Sequence, residues 1–127
     1  MVIFRNATAG VIGYIYQTDT SVSYQSTSDR RLKTNIADMP PMLDKIMELK
    51  PCQYNWKTNL DKLDYGLIAQ DVFDVFPHMN PGVVMDTYGV EYGKFTPFII
   101  KAIQEIKTEY DAKLSTLEAR IVALEGN

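Results

Sequence analysis

The sequence predicts an α+β fold, with a small helix-and-hairpin globular part followed by a long C-terminal helix that forms a parallel trimeric coiled coil. Three observations predict it. An apolar heptad stripe runs through the last third of the chain, strand-like runs rich in β-branched residues and tyrosine fill the first part, and short segments of both kinds lie between, punctuated by Pro and Gly. With 127 residues, 46% hydrophobic and 23% charged, the chain suffices for one modest core with a helical appendage.

Residues 1–27 contain the run Val11-Ile12-Gly13-Tyr14-Ile15-Tyr16, and further on Val22 and Tyr24 alternate with Ser21 and Ser23. They read as short strands. Such a segment is too small to bury its own apolar face, so it is expected to be the end of a larger β-rich body or to pair with copies of itself. Beyond it, Pro40-Pro41 opens a helix with Met42, Leu43, Ile46, Met47 and Leu49 on its apolar face, and Pro51 ends it. Residues 52–57 then read as a strand, Thr58 to Leu63 as a polar loop, and Tyr65 to Ile68 as a second strand, together a hairpin with an exposed tip.

Val72, Phe73 and Phe76 stand at helical spacing in the segment from Ala69 to Phe76, which Pro77 stops, and His78-Met79-Asn80-Pro81-Gly82 is turn chemistry. Val83 to Met85 and Val90 to Tyr92 flank Asp86-Thr87-Tyr88-Gly89 as a second hairpin. From about Lys94 to Glu125 the positions Ile99, Ile103, Ile106, Tyr110, Leu114, Leu117, Ile121 and Leu124 form a heptad stripe with one stutter around Tyr110 to Leu114. Isoleucine dominates its first part, and Ile at both seam positions favours three or more strands over two, hence the expected homotrimer. Lys101 with Glu105, Lys107 with Asp111 and Glu109 with Lys113 add i,i+4 pairs worth about 0.2–0.5 kcal/mol each.

Charge and composition exclude several functions. The net charge is −3, and residues 58–92 carry six acidic side chains against one lysine, so no basic face suited to nucleic acid is expected. No run of eighteen apolar residues and no export signal are present, so no membrane partner is expected. The single cysteine, Cys52, excludes an intrachain disulfide and a cysteine-based zinc site and reads as a buried structural thiol. His78 has no second ligand nearby; no metal and no cofactor are expected, and no glycine-rich phosphate loop is present.

The segment Ser28-Asp29-Arg30-Arg31-Leu32-Lys33-Thr34-Asn35-Ile36 joins the β-rich part to the rest and holds a hydroxyl nucleophile and a possible base. If Ser28 attacks the carbonyl before it, the bond cut is Thr27–Ser28, and the reaction needs a proton acceptor and an oxyanion-stabilising group. A free lysine of pKa near 10.4 is neutral at pH 7 to only roughly 0.04%, so Lys33 must be desolvated to serve as acceptor. Spacing sets a second condition. On a helix, position i+5 points about 140° away, and on a strand it lies about 16 Å off on the opposite face. Either a turn through Asp29 to Arg31 folds Lys33 back, or the lysine comes from a neighbouring copy. The plainer reading is that Ser28 and Asp29 begin a turn or cap a helix while Arg30, Arg31 and Lys33 stay solvated.

That segment, then Tyr65-Gly66-Leu67-Ile68-Ala69-Gln70-Asp71-Val72, then Val75-Phe76-Pro77, and then the run from Pro97 to Lys107, together resemble the C-terminal intramolecular chaperone domain of phage tailspikes and tail fibres, the endosialidase type. The resemblance covers residues 28 to about 125 in the family's order, with Glu91-Tyr92-Gly93-Lys94 in place of the more usual Val-Asp-Tyr-Ser. It implies a domain that trimerises, guides folding of an upstream β-rich fibre and is released by a serine autopeptidase with a Ser-Lys dyad. The matching positions are Ser28 as nucleophile and Lys33 as general base, with Asn35 and Gln70 in supporting motif positions.

The same resemblance makes residues 1–27 the end of the fibre or tailspike, retained in the virion tail, and residues 28–127 the chaperone, acting in the host bacterial cytoplasm during phage assembly. The hairpin around Thr58 to Leu63 would then be an arm that grips the folding shaft. Two other readings stand beside it. One is a non-cleaving structural trimerisation module, and the other is the equivalent self-cleaving domain of a membrane-bound eukaryotic transcription factor, for which a DNA-binding domain should precede and a transmembrane helix follow.

Overall fold

A computed structural model describes residues 1–8, 10–82 and 86–126, which form two compact units, 1–38 and 39–127. In the first, β1 (Val2–Asn6), β2 (Gly10–Gln17) and β3 (Val22–Ser26) make an antiparallel meander with β2 in the middle. Register runs Val2 opposite Ile15 and Ile15 opposite Tyr24, with a bulge at Phe4/Arg5. The β2–β3 turn is closed by Thr18, whose amide donates to the Ser21 carbonyl at 2.8 Å and whose Oγ1 accepts from the amides of Thr20 and Ser21. Gly13 sits where β2 and β3 approach most closely; a Cβ there would stand 2.7 Å from the Gln25 carbonyl oxygen.

Among the described residues of this unit only Gly13 is buried, while Val2, Ile3, Phe4, Ile12, Val22 and Tyr24 are exposed. Burial cannot hold such a sheet by itself. Its ladder hydrogen bonds and the Tyr14 hydroxyl, which donates to Gln25 Oε1 at 2.7 Å, need further apolar cover for independent stability.

The second unit packs α1 (Leu43–Glu48), α2 (Ala69–Val75) and the start of α3 (Phe95–Glu125) around Met42, Val72, Phe76, Met79 and Phe95. Phe76 stacks on Phe98 at 5.0 Å and meets Phe95 edge-on. The helix expected to open on Pro40-Pro41 begins only at Leu43, and Met47 lies outside the core, 75% exposed. Its N-terminus has no cap of its own; instead the Glu105 carboxylate, from α3, accepts from the amides of Met42 at 2.8 Å and Leu43 at 3.0 Å. This corrects the Lys101–Glu105 pair expected from spacing: Glu105 satisfies two orphan amides of another helix. The other two pairs are formed, Lys107 with Asp111 and, at 3.9 Å, Lys113 with Glu109.

A second correction concerns the hairpin. Thr58 to Leu63 is not a loop: β4 (Cys52–Trp56) pairs with β5 (Asn59–Gly66), leaving only Lys57 and Thr58 as the turn. The polar residues follow from a ribbon that leaves Trp56, Leu60, Leu63 and Tyr65 exposed and so needs no apolar alternation. Asn55 secures the bulge beside the turn, its side-chain amide donating to the carbonyls of Leu60 and Lys62 at 3.0 Å each. The second strand also ends at Gly66, two residues short of Ile68.

Of the second expected hairpin, Val83 to Met85 lies outside the described residues, and Val90 to Tyr92 is not a strand. Tyr92 opens a 3-10 turn leading into α3, and its hydroxyl accepts from the Leu67 amide at 2.9 Å. Gly66 leaves room for that hydroxyl, since a Cβ would come within 2.5 Å of it. Cys52 is half-buried rather than buried, with its thiol 3.5 Å from the Gly66 carbonyl.

The long helix agrees with the stripe to within a residue at its start. From Ile106 to Gly126 every residue is exposed, and the stripe from Ile99 to Leu124 has 42–73% of its surface in water. Among the described residues no helix is long and apolar enough to cross a membrane.

Candidate active site

The segment from Thr27 to Asn35 lies wholly in the first unit. Thr27 is the last residue tied to the sheet: its amide donates to the Ile12 carbonyl at 3.0 Å and its hydroxyl to the Val11 carbonyl at 2.9 Å. The bond between Thr27 and Ser28 therefore begins at an anchored residue. Ser28 and Asp29 follow without regular structure, and the chain then winds into a 3-10 turn at Arg30–Leu32.

Asp29 starts that turn. Its backbone is extended (φ −68°, ψ 129°), its Oδ1 accepts from the Arg31 amide at 2.9 Å, and its carbonyl accepts from the Leu32 amide at 3.1 Å. The Arg31 guanidinium closes on the same carboxylate, Nε at 3.1 Å from each oxygen and a terminal nitrogen at 2.6 Å. These hydrogen bonds, side-chain first and backbone second, hold the Asp29 carboxyl below its ordinary value and raise Arg31 above its own.

One such turn reverses the chain, and Lys33 Nζ donates to Ser28 Oγ at 2.7 Å. Of the two routes left open by spacing, the turn within one chain is the geometry observed. Asp29, not Ser28, is the cap, so the serine hydroxyl is left to the lysine. Both side chains are exposed. Written as ammonium, Lys33 is a donor; as free amine, at the same separation, it would accept the hydroxyl proton, since 2.7 Å is within reach for general-base transfer.

Asn35 has φ 52°, in the left-handed region, where asparagine is among the few residues that sit at little cost. Its identity in the motif thus has a backbone reason. Gln70 lies in the other unit, exposed in the first turn of α2, and the Ser28–Lys33 contact is made without it. His78 is an aromatic neighbour of Phe76 and Phe98, edge-on at 6.0 and 5.9 Å. Among the described residues no three His, Cys, Asp or Glu side chains are grouped to hold a metal.

The sequence offered both Ser28 and Asp29 as residues that begin a turn, and the structure gives that role to Asp29. A scan of known families matches residues 28–80 to the one described as chaperone of endosialidase. A search of curated proteins returns no match.

Proposed function

We propose, from the match of residues 28–80 to the family described as chaperone of endosialidase, that the chain is a trimeric intramolecular chaperone that frees itself from the body it helps to fold by cutting the Thr27–Ser28 bond. The observation that carries this reading is the hydrogen bond between Lys33 Nζ and Ser28 Oγ, next to an anchored Thr27. Lys33, as free amine, takes the Ser28 hydroxyl proton while Oγ attacks the Thr27 carbonyl carbon. The tetrahedral intermediate collapses with cleavage of the C–N bond, and Lys33 returns the proton to the departing Ser28 nitrogen. Water then hydrolyses the Thr27 ester on Oγ, leaving a Thr27 carboxylate and a Ser28 amine.

Lys33 and Ser28 are both exposed to water in the single chain. Desolvation must come from assembly, which makes the cut conditional on it. The apolar stripe of α3 supports a parallel trimeric coiled coil, because a helix whose residues from Ile106 to Gly126 are all exposed is held in water mainly by partners on its apolar face. Residues 1–27 then remain with a tail fibre or tailspike, residues 28–127 leave, and the reaction takes place in the host cytoplasm during assembly. The β4–β5 ribbon, with Trp56, Leu60 and Tyr65 exposed, is the arm proposed to contact the folding shaft.

The test is the refolded full chain followed by mass spectrometry and size-exclusion chromatography with light scattering. Wild type is expected as a trimer split into residues 1–27 and 28–127, and Ser28→Ala and Lys33→Ala as uncut trimers. A wild-type trimer that stays whole would reduce the protein to a structural trimerisation module.

A further inference from the structure

We propose that Asp29 is the positioning residue of this cleavage, an assignment that rests on the self-cleavage reading above. Ser28 and Lys33 are five positions apart, and neither helix nor strand brings such a pair together. Only the 3-10 turn at Arg30–Leu32 does so, and it is short and exposed, with no buried side chain to hold it.

What holds it is a small set of hydrogen bonds. The amides of Leu32 and Lys33 donate to the carbonyls of Asp29 and Arg30 at 3.1 Å each. The remaining amide of the turn's first residues that has a partner, that of Arg31, has it in Asp29 Oδ1 at 2.9 Å. Losing that acceptor loosens the turn and with it the contact at 2.7 Å. Arg31 adds a second effect: its guanidinium occupies both carboxylate oxygens, so among the described residues Lys33 is bonded to Ser28 and not to Asp29. Asp29 touches no reacting atom and acts through the placement of Lys33.

A cap works through an acceptor oxygen rather than a charge, so substitutions separate this role from an electrostatic one. Asn and Ser cap nearly as well as Asp, whereas Ala does not. The experiment measures the single-turnover cleavage rate of the full chain refolded from denaturant, for wild type, Asp29→Asn, Asp29→Ser and Asp29→Ala, with circular dichroism and oligomeric state as folding controls. Loss of a cap corresponds to a slowing of about fivefold to tenfold for Asp29→Ala. The Asn and Ser variants should stay within about threefold of wild type. The pH at which the rate reaches half its plateau should not move.

Asp29→Ala cleaving at the wild-type rate overturns the assignment, and so do Asn and Ser variants as slow as Ala or a displaced pH profile. Should Ala impair folding, the Asn and Ser rates decide alone. An uncut wild-type chain is a different result: it overturns the cleavage reading itself.

Discussion

Glu105→Ala should be among the most costly single substitutions outside the aromatic core. The Glu105 carboxylate accepts two backbone hydrogen bonds at the start of α1, both partly buried, from residues more than sixty positions away. A hydrogen bond to a charged group is worth about 1.5–3 kcal/mol, and loss of an N-cap costs about 0.5–2 kcal/mol. Because the two bonds share one carboxylate and water can partly replace them, about 2–3 kcal/mol is expected rather than their sum. Glu105→Gln keeps one acceptor oxygen and should cost about half as much. Lys101→Gln is the control, since a surface i,i+4 pair would cost no more than about 0.5 kcal/mol. Urea unfolding of the Ser28→Ala chain at one protein concentration, followed by the emission of Trp56, supplies the numbers. The reasoning fails if Glu105→Ala costs no more than Lys101→Gln.

Two further outcomes are expected. Asn35→Gly should fold and cut like wild type, whereas Asn35→Val, forced to φ 52°, should lose about 1–3 kcal/mol, read as a lower melting temperature. Asp64 is held below its ordinary value first by the Trp56 indole N–H, at 3.2 Å, and next by the Tyr65 amide. A carboxyl depressed in the folded state contributes stability that is present above its unfolded pKa and is lost as pH falls through the folded one. The emission of Trp56, the one tryptophan, should therefore stay constant down to about pH 4 and change below it, and this acid step should vanish in Asp64→Asn.

What the sequence made legible depends on the range of the forces involved. The α3 stripe was readable because eight apolar positions repeat their spacing, and a helix is local. The turn at Ser28 to Lys33 was readable as one of two routes, the other being a lysine from a neighbouring copy, because arithmetic excludes helix and strand, although which residue caps it was not. The first part of β5 was hidden because an open two-stranded ribbon demands no apolar alternation, so Thr58 to Leu63 looked like a loop. Glu105 was misassigned for the opposite reason: Lys101 offered a local partner, while the true donors lie on another helix. Asn35 stood in a motif, but only its backbone angle explains why an asparagine suits the position.

Thr27 is fastened to β2 by two hydrogen bonds, and Ser28 is fastened to Lys33. A break between them removes none of these bonds. What it removes is connectivity: two parts of one molecule, each held at a high effective concentration near the other, become two solutes whose re-encounter depends on dilution. The bonds just named each lie within one product and so do not depend on concentration; only the association of the two products does. The proposed cut would thus act on entropy rather than on structure, and its position just after β3 would let the sheet keep its hydrogen bonds while the tether is lost.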